Sequence, residues 1–285
     1  MTDVHLPPGD GEPLPRPASE LMKRVVSAFV LALAALATAW IGGLPFLLVW
    51  TAAAVAVWWE WTGITKAEPR PLVAGVGAAA ILCMAVALAL DAAAIAFVCA
   101  VIGAGVAMAS VQTSRTWAGA GVIYAAATLI AAVMLRGDPA LGLVAILWLF
   151  AVVWAQDTGA YFAGRLIGGP KLAPSISPSK TWSGAAGGTI AGVAAGTMVV
   201  LLAAVELRAM HFAIAFVIVV AAMLGDLLES WIKRRFGAKD SGTLIPGHGG
   251  VMDRLDGFII AAAVALAIGL MRGGTGNPAA GLLLW

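Results

Sequence analysis

Charge is what this sequence has least of. Only 11% of its 285 residues are Asp, Glu, Lys or Arg, against about 25% in soluble domains. That deficit, with 61% hydrophobic residues and a mean hydropathy of +0.96, excludes a soluble domain with a charged shell. Lipid must be the solvent for most of the chain. Cysteine is nearly absent: Cys83 and Cys99 both sit inside apolar runs, which argues against a disulfide framework or a thiolate metal site. The net charge of +2 is small and points to no nucleic-acid partner. Apolar residues are scarce only at the start, in DVHLPPGDGEPLPRPASE. Residues 1–22 are expected to form a disordered cytoplasmic tail. The long apolar run behind them, with no small-residue cleavage site, argues against a cleaved signal peptide.

What is present is a series of long apolar runs. A crossing helix needs about 20 such residues. Runs at 25–42, 45–62, 72–90, 92–110, 117–135, 141–162, 184–204, 209–231 and 255–271 predict an all-α polytopic membrane protein of about nine transmembrane helices. Tight turns are expected near Gly42-Gly43 and Asp91. With the N-terminus in the cytoplasm, 14 of the 17 Lys and Arg residues fall on cytoplasmic segments, and only Arg136, Arg208 and Arg272 on the other side. This is the positive-inside pattern. The chain divides into the tail, N-terminal helices over 23–140, and a region over 141–285. The last carries two long polar cytoplasmic loops, 163–183 and 232–254. Gly184, Gly188, Gly192 and Gly196 recur at every fourth position. Such a stripe lets helix backbones approach in lipid, within one protomer or between two.

Ionisable residues inside apolar spans cost about 2.5–3.5 kcal/mol each at mid-helix, so the few present are functional candidates. Glu60 lies among Trp58, Trp59 and Trp61, a setting that an interfacial aromatic belt explains. Asp157 lies near the cytoplasmic end of the sixth span. Asp226 and Glu229 share one face of the eighth. Glu229 is spaced to pair with Lys233, whereas Asp226 has no local cation and calls for a metal or a cation from another helix. The densest polar stretch runs from Ser230 to Gly257, SWIKRRFGAKDSGTLIPGHGGVMDRLDG. Its glycines can turn N–H groups toward a phosphate. Asp253 and Asp256 face one way at the start of the ninth span. Carboxylates without a His/Cys set suit Mg²⁺, and carboxylates among cations suit a metal-bound polyphosphate. A basic loop binding anionic lipid, with the Asp residues as helix caps, accounts for the same residues.

The stretch resembles the signature of the phosphatidate cytidylyltransferase (CDP-diacylglycerol synthase) family. Ser230, Lys233, Arg234, Lys239, Asp240, Pro246, His248, Gly249, Gly250, Asp253, Arg254 and Asp256 fill its fixed positions. Asp157 to Phe162, Ser177-Pro178 and Lys180-Thr181-Trp182 are similar to a second block. Ser179 and Ser183 depart from the lysine and glutamate often found there in relatives. The resemblance implies an all-helical membrane enzyme, commonly a homodimer. Its reaction joins phosphatidate and CTP into CDP-diacylglycerol and pyrophosphate, with Mg²⁺. On this reading Asp226, Asp253 and Asp256 hold one or two Mg²⁺ ions. Lys239 acts with them in catalysis. Lys171, Lys180, Ser177, Lys233, Arg234, His248, Arg254 and Asp157 bind substrate, and Trp182 and Phe236 are candidates for contact with the base. A monovalent cation is left open. The enzyme would sit in the inner (plasma) membrane with its site facing the cytoplasm. Two alternatives are a CTP-dependent lipid or polyprenol kinase and an ion-coupled transporter. The charges gather near one face, and no inverted repeat is visible, which disfavours the transporter.

Overall fold

The computed structural model describes residues 17–245 and 249–285, with side chains at Met22 and from Val25 onward. Among the described residues nine long helices follow in order: α1 (Pro17–Ile41), α2 (Gly43–Ile64), α3 (Arg70–Ala89), α4 (Ala93–Ser110), α5 (Arg115–Gly137), α6 (Gly142–Ile167), α7 (Trp182–Leu202), α8 (Ala209–Arg235) and α9 (Met252–Gly273). A short α10 (Pro278–Leu283) ends the chain. Eight of these, α2 to α9, are long and apolar enough to cross a membrane, and Val25–Ile41 of α1 is a shorter apolar stretch. The expected turns lie at Gly42 and Gly43 (φ 71 and 53) and at Asp91 (φ 54). Residues 17–22, expected in the tail, belong to α1.

Several helices run beyond the expected spans, and three of the extensions bear on the polar loops. Helix α6 runs on to Ile167 and α8 to Arg235, and α9 begins at Met252. The stretch expected as a plain loop over 163–183 contains an antiparallel hairpin, β1 (Lys171–Ala173) and β2 (Ser177–Thr181), with Lys171 opposite Thr181. Thr181 then accepts the Gly184 N–H at 3.1 Å and so caps α7. These steps fix Lys180 one residue ahead of the N-cap of α7.

Helix α5 is the central element. Fourteen of its 23 residues are buried, and α2, α3, α4, α6 and α9 all pack on it. Without water to satisfy polar groups, the fold closes by small-residue contact. The α7 glycine stripe lies against α6 inside one protomer: a Cβ at Gly188 would come 2.7 Å from the Gln156 carbonyl oxygen, and one at Gly192 3.0 Å from that of Val152. At the end of the bundle remote from the polar loops, Asp138 is 4% exposed. It accepts N–H groups from Ala140, Leu141, Ala279 and Ala280 at 2.8–2.9 Å, tying the start of α6 to α10. His211 reaches the Leu283 carbonyl at 2.8 Å.

Candidate active site

The C-terminal ends of α2, α6 and α8 and the N-terminal ends of α5, α7 and α9 meet at the opposite end. Most of the ionisable residues singled out in the spans gather there. The geometry begins with a close approach of backbones. A Cβ at Gly225 would come 2.6 Å from the Asp256 carbonyl oxygen, so only glycine lets α8 lie this near α9. The next residue, Asp226, is thereby brought beside Asp256, and each carboxylate lies in the field of the other. Asp157 of α6 joins them in the field of Asp226, Lys180 and Arg254.

Two ion pairs organise the cluster. Lys180 of β2 pairs with Asp226 of α8, the inter-element cation that Asp226 called for. Ser230 Oγ lies 3.5 Å from the other Asp226 oxygen. Lys233 Nζ lies 2.7 Å from both Glu229 and Asp253. The helical Glu229–Lys233 pair is thus present, but Glu229 is only 1% exposed, and Lys233 is shared. Burial in low dielectric makes such pairs sensitive to loss of either partner.

Asp253 does not stand free. Its Oδ2 accepts the Ser241 N–H at 3.0 Å and the Gly250 N–H at 2.8 Å, while Oδ1 takes Lys233. Ser241 and Gly250 are therefore wrapped around this carboxylate. Gly249 serves the wrap twice: it has φ +80, and a Cβ there would come 2.8 Å from Asp253 Oδ2. Among the described residues, no three His, Cys, Asp or Glu side chains come together as a metal-holding group.

A cavity of about 530 Å³ opens beside the cluster. Asp157, Thr158, Arg254 and Asp256 line its polar end. Ala28, Leu31, Ala32 and Ala35 of α1, with Trp50, Phe150 and Trp154, line the rest. The cavity is thus ionic at one end and apolar at the other, with α1 as one wall.

The remaining expected site residues are distributed as follows. Lys171, Arg234 and Lys239 are exposed, and Ser177 is half-buried on β2. None of Lys171, Arg234 and Lys239 forms an ion pair among the described residues. Phe236 packs edge-on against Trp117 at 5.1 Å, a structural contact, and Trp182 is 61% exposed. His248, with Pro246 and Gly247, lies outside the described residues.

Glu60 requires a correction. It is not an interfacial residue of an aromatic belt but is 2% exposed. It accepts the N–H groups of Val251 at 2.9 Å and Met252 at 2.7 Å and the Ser241 hydroxyl at 3.2 Å. Tyr124 of α5 was also missed. Its buried hydroxyl has no hydrogen-bond partner among the described residues and lies in the field of Asp256, Glu229 and Asp226. Its apolar surroundings in sequence give no signal, whereas the cost of a carboxylate in a span did mark Glu60.

Comparison with known proteins identifies the family. The pattern of the Cytidylyltransferase family matches residues 22–271, which takes in every residue of the cluster. A phosphatidate cytidylyltransferase of Brucella suis is 42% identical over 254 residues, covering 88% of this chain and 94% of that protein. Proteins of the same name from Haemophilus influenzae and Staphylococcus saprophyticus are 44% and 46% identical over 129 and 121 residues. Those alignments cover 44% and 41% of this chain. On the extent of these matches, this chain belongs to the cytidylyltransferase family.

Proposed function

We propose that this protein transfers the cytidylyl group of CTP to phosphatidate, forming CDP-diacylglycerol and releasing pyrophosphate. The observation that carries the reading is the two-ended cavity. Its ionic end suits phosphates, and its apolar end, walled by α1, suits the chains of a lipid that arrives from the bilayer. The family membership and the relatives' shared name support the same reaction.

The chemistry asks little of a general base. The phosphatidate phosphate is an anion near neutral pH, and one of its oxygens attacks the α-phosphorus of CTP. A new P–O bond forms there as the bond to the β-phosphate oxygen breaks, and pyrophosphate leaves with that electron pair. The barrier is repulsion between anions and the need for in-line alignment. Arg254 at the cavity would hold the lipid phosphate. Lys180 and Lys233, each already fixed by carboxylates, would face the nucleotide phosphates as preorganised charge. Lys171, Arg234 and Lys239 are exposed and would draw the nucleotide in.

The donor set fits a hard divalent cation such as Mg²⁺. Asp226 and Asp256 would hold it, with the nucleotide phosphates as its further ligands, while Asp253, engaged by Lys233 and by the Ser241 and Gly250 N–H groups, would act through the loop. When bound, the ion would neutralise charge on the nucleotide phosphates. The distribution of Lys and Arg supports a site on the cytoplasmic face of the membrane, which would be the inner (plasma) membrane.

The test uses purified protein in detergent micelles, phosphatidate, and CTP labelled in either the α- or the γ-phosphate. Label from the α-phosphate should enter the lipid fraction and require Mg²⁺. Lipid label from the γ-phosphate alone would mark a kinase, and none from either, in folded protein, would overturn the reading.

A further inference from the structure

We infer that Glu60, in the N-terminal half of the chain, is a positioning residue that holds Ser241 and the start of α9 in the geometry the reaction needs. The inference rests on the transferase reading above.

The first N–H groups of a helix have no partner within it. In α9 the N-cap is Val251, whose side chain offers no acceptor. A carboxylate from α2 takes that role from 191 positions away: one Glu60 oxygen accepts Val251 N–H and the other Met252 N–H. The negative charge also complements the positive end of the helix dipole. The same carboxylate binds the Ser241 hydroxyl, while the Ser241 N–H binds Asp253. Glu60 and Asp253 thus grip one loop residue from two sides, one from each half of the chain.

Two glycines are shaped around this contact. A Cβ at Gly250 would come 2.6 Å from both Glu60 oxygens, and one at Gly242 would come 2.9 Å from Oε1. Gly250 belongs to the motif, so part of the motif's glycine content exists to admit a side chain outside it. Glu60 is itself held rigidly. Trp58 Nε1 donates to the Ala74 carbonyl at 3.0 Å and Trp61 Nε1 to that of Trp117 at 2.8 Å, which pins α2 to α3 and α5. Supports of this kind are worth about 10- to 100-fold in activity where they orient ligating groups.

The experiment compares wild-type protein with Glu60→Gln and Glu60→Ala. It reads kcat and KM for CTP and phosphatidate, thermal unfolding, and the rate of trypsin cleavage after the exposed Lys239. Gln keeps the size but turns an NH₂ group toward N–H donors. Both variants should lose about 10- to 100-fold in kcat/KM and be cut faster in the loop, while the bundle unfolds near the wild-type temperature. Adding Ser241→Ala to Glu60→Ala should cost little more, because both act through one contact. Normal kcat/KM with wild-type trypsin resistance in both variants would overturn the inference. So would activity lost only in step with general unfolding. A wild-type protein that makes no CDP-diacylglycerol would instead sink the reaction assigned above, and loop cleavage would still report on the clamp.

Discussion

Lys180 of the hairpin forms an ion pair with Asp226 of α8, bridging two elements 46 positions apart in the chain. The pair sets the charge of the site, because Asp226 also faces Asp157 and Asp256. Removing the cation leaves like charges unopposed in a low-dielectric setting. Lys180→Met and Asp226→Asn should each lower kcat/KM by about 100-fold. The double variant should be far less than additive, since both changes break one contact. A double-mutant cycle on the transferase assay measures this coupling, and additive losses would mean that the two residues act separately.

Asp253 lies at the centre of the loop wrap. Asn at this position keeps the shape but sets an NH₂ group against the Ser241 and Gly250 N–H donors, and it removes one of the two carboxylates that Lys233 serves. Asp253→Asn should lower kcat/KM by at least about 100-fold in protein that still elutes as folded and unfolds near the wild-type temperature. Turnover close to wild type would remove Asp253 from the machinery.

The sequence made the membrane helices and the polar end of the bundle legible, because run length and charge placement are local properties. Asp157 and Asp226 stood out because a carboxylate in an apolar span is costly, and Asp253 and Asp256 because they share one face at a helix start. What could not be read was pairing across the chain. Lys180 reaches Asp226 only because of a hairpin whose strands have three and five residues, too short for periodicity to reveal. Glu60 lay among tryptophans that offered a local explanation, while its partners were about 190 positions away. The early start of α9 has the same origin, since Glu60 supplies the acceptors for the Val251 and Met252 N–H groups.

Asp138 gives a test of stability away from the site. It satisfies four N–H groups at the starts of two helices, that of Ala279 in a buried contact and the others part-buried, so truncation leaves these donors without their acceptor. Asp138→Ala should destabilise the protein by about 2–3 kcal/mol, read as a lower unfolding temperature in detergent. Activity per folded molecule should stay near wild type, because the contact is at the opposite end of the bundle. A fall in kcat with unchanged stability would contradict this division between the two ends.

The α1 wall of the cavity supplies the last prediction. Ala32 lines the apolar end, while the ionic end is formed by residues of α6 and α9. A bulky side chain at Ala32 would occupy space assigned to an acyl chain without touching the phosphate-binding groups. Ala32→Trp should therefore raise KM for long-chain phosphatidate by about tenfold and leave KM for CTP unchanged. Short-chain phosphatidate should be affected less, since it reaches less far along α1. Steady-state kinetics with two chain lengths separate the cases: an equal effect on both lipids, or a rise in KM for CTP, would show that the cavity does not seat the lipid chains in this direction.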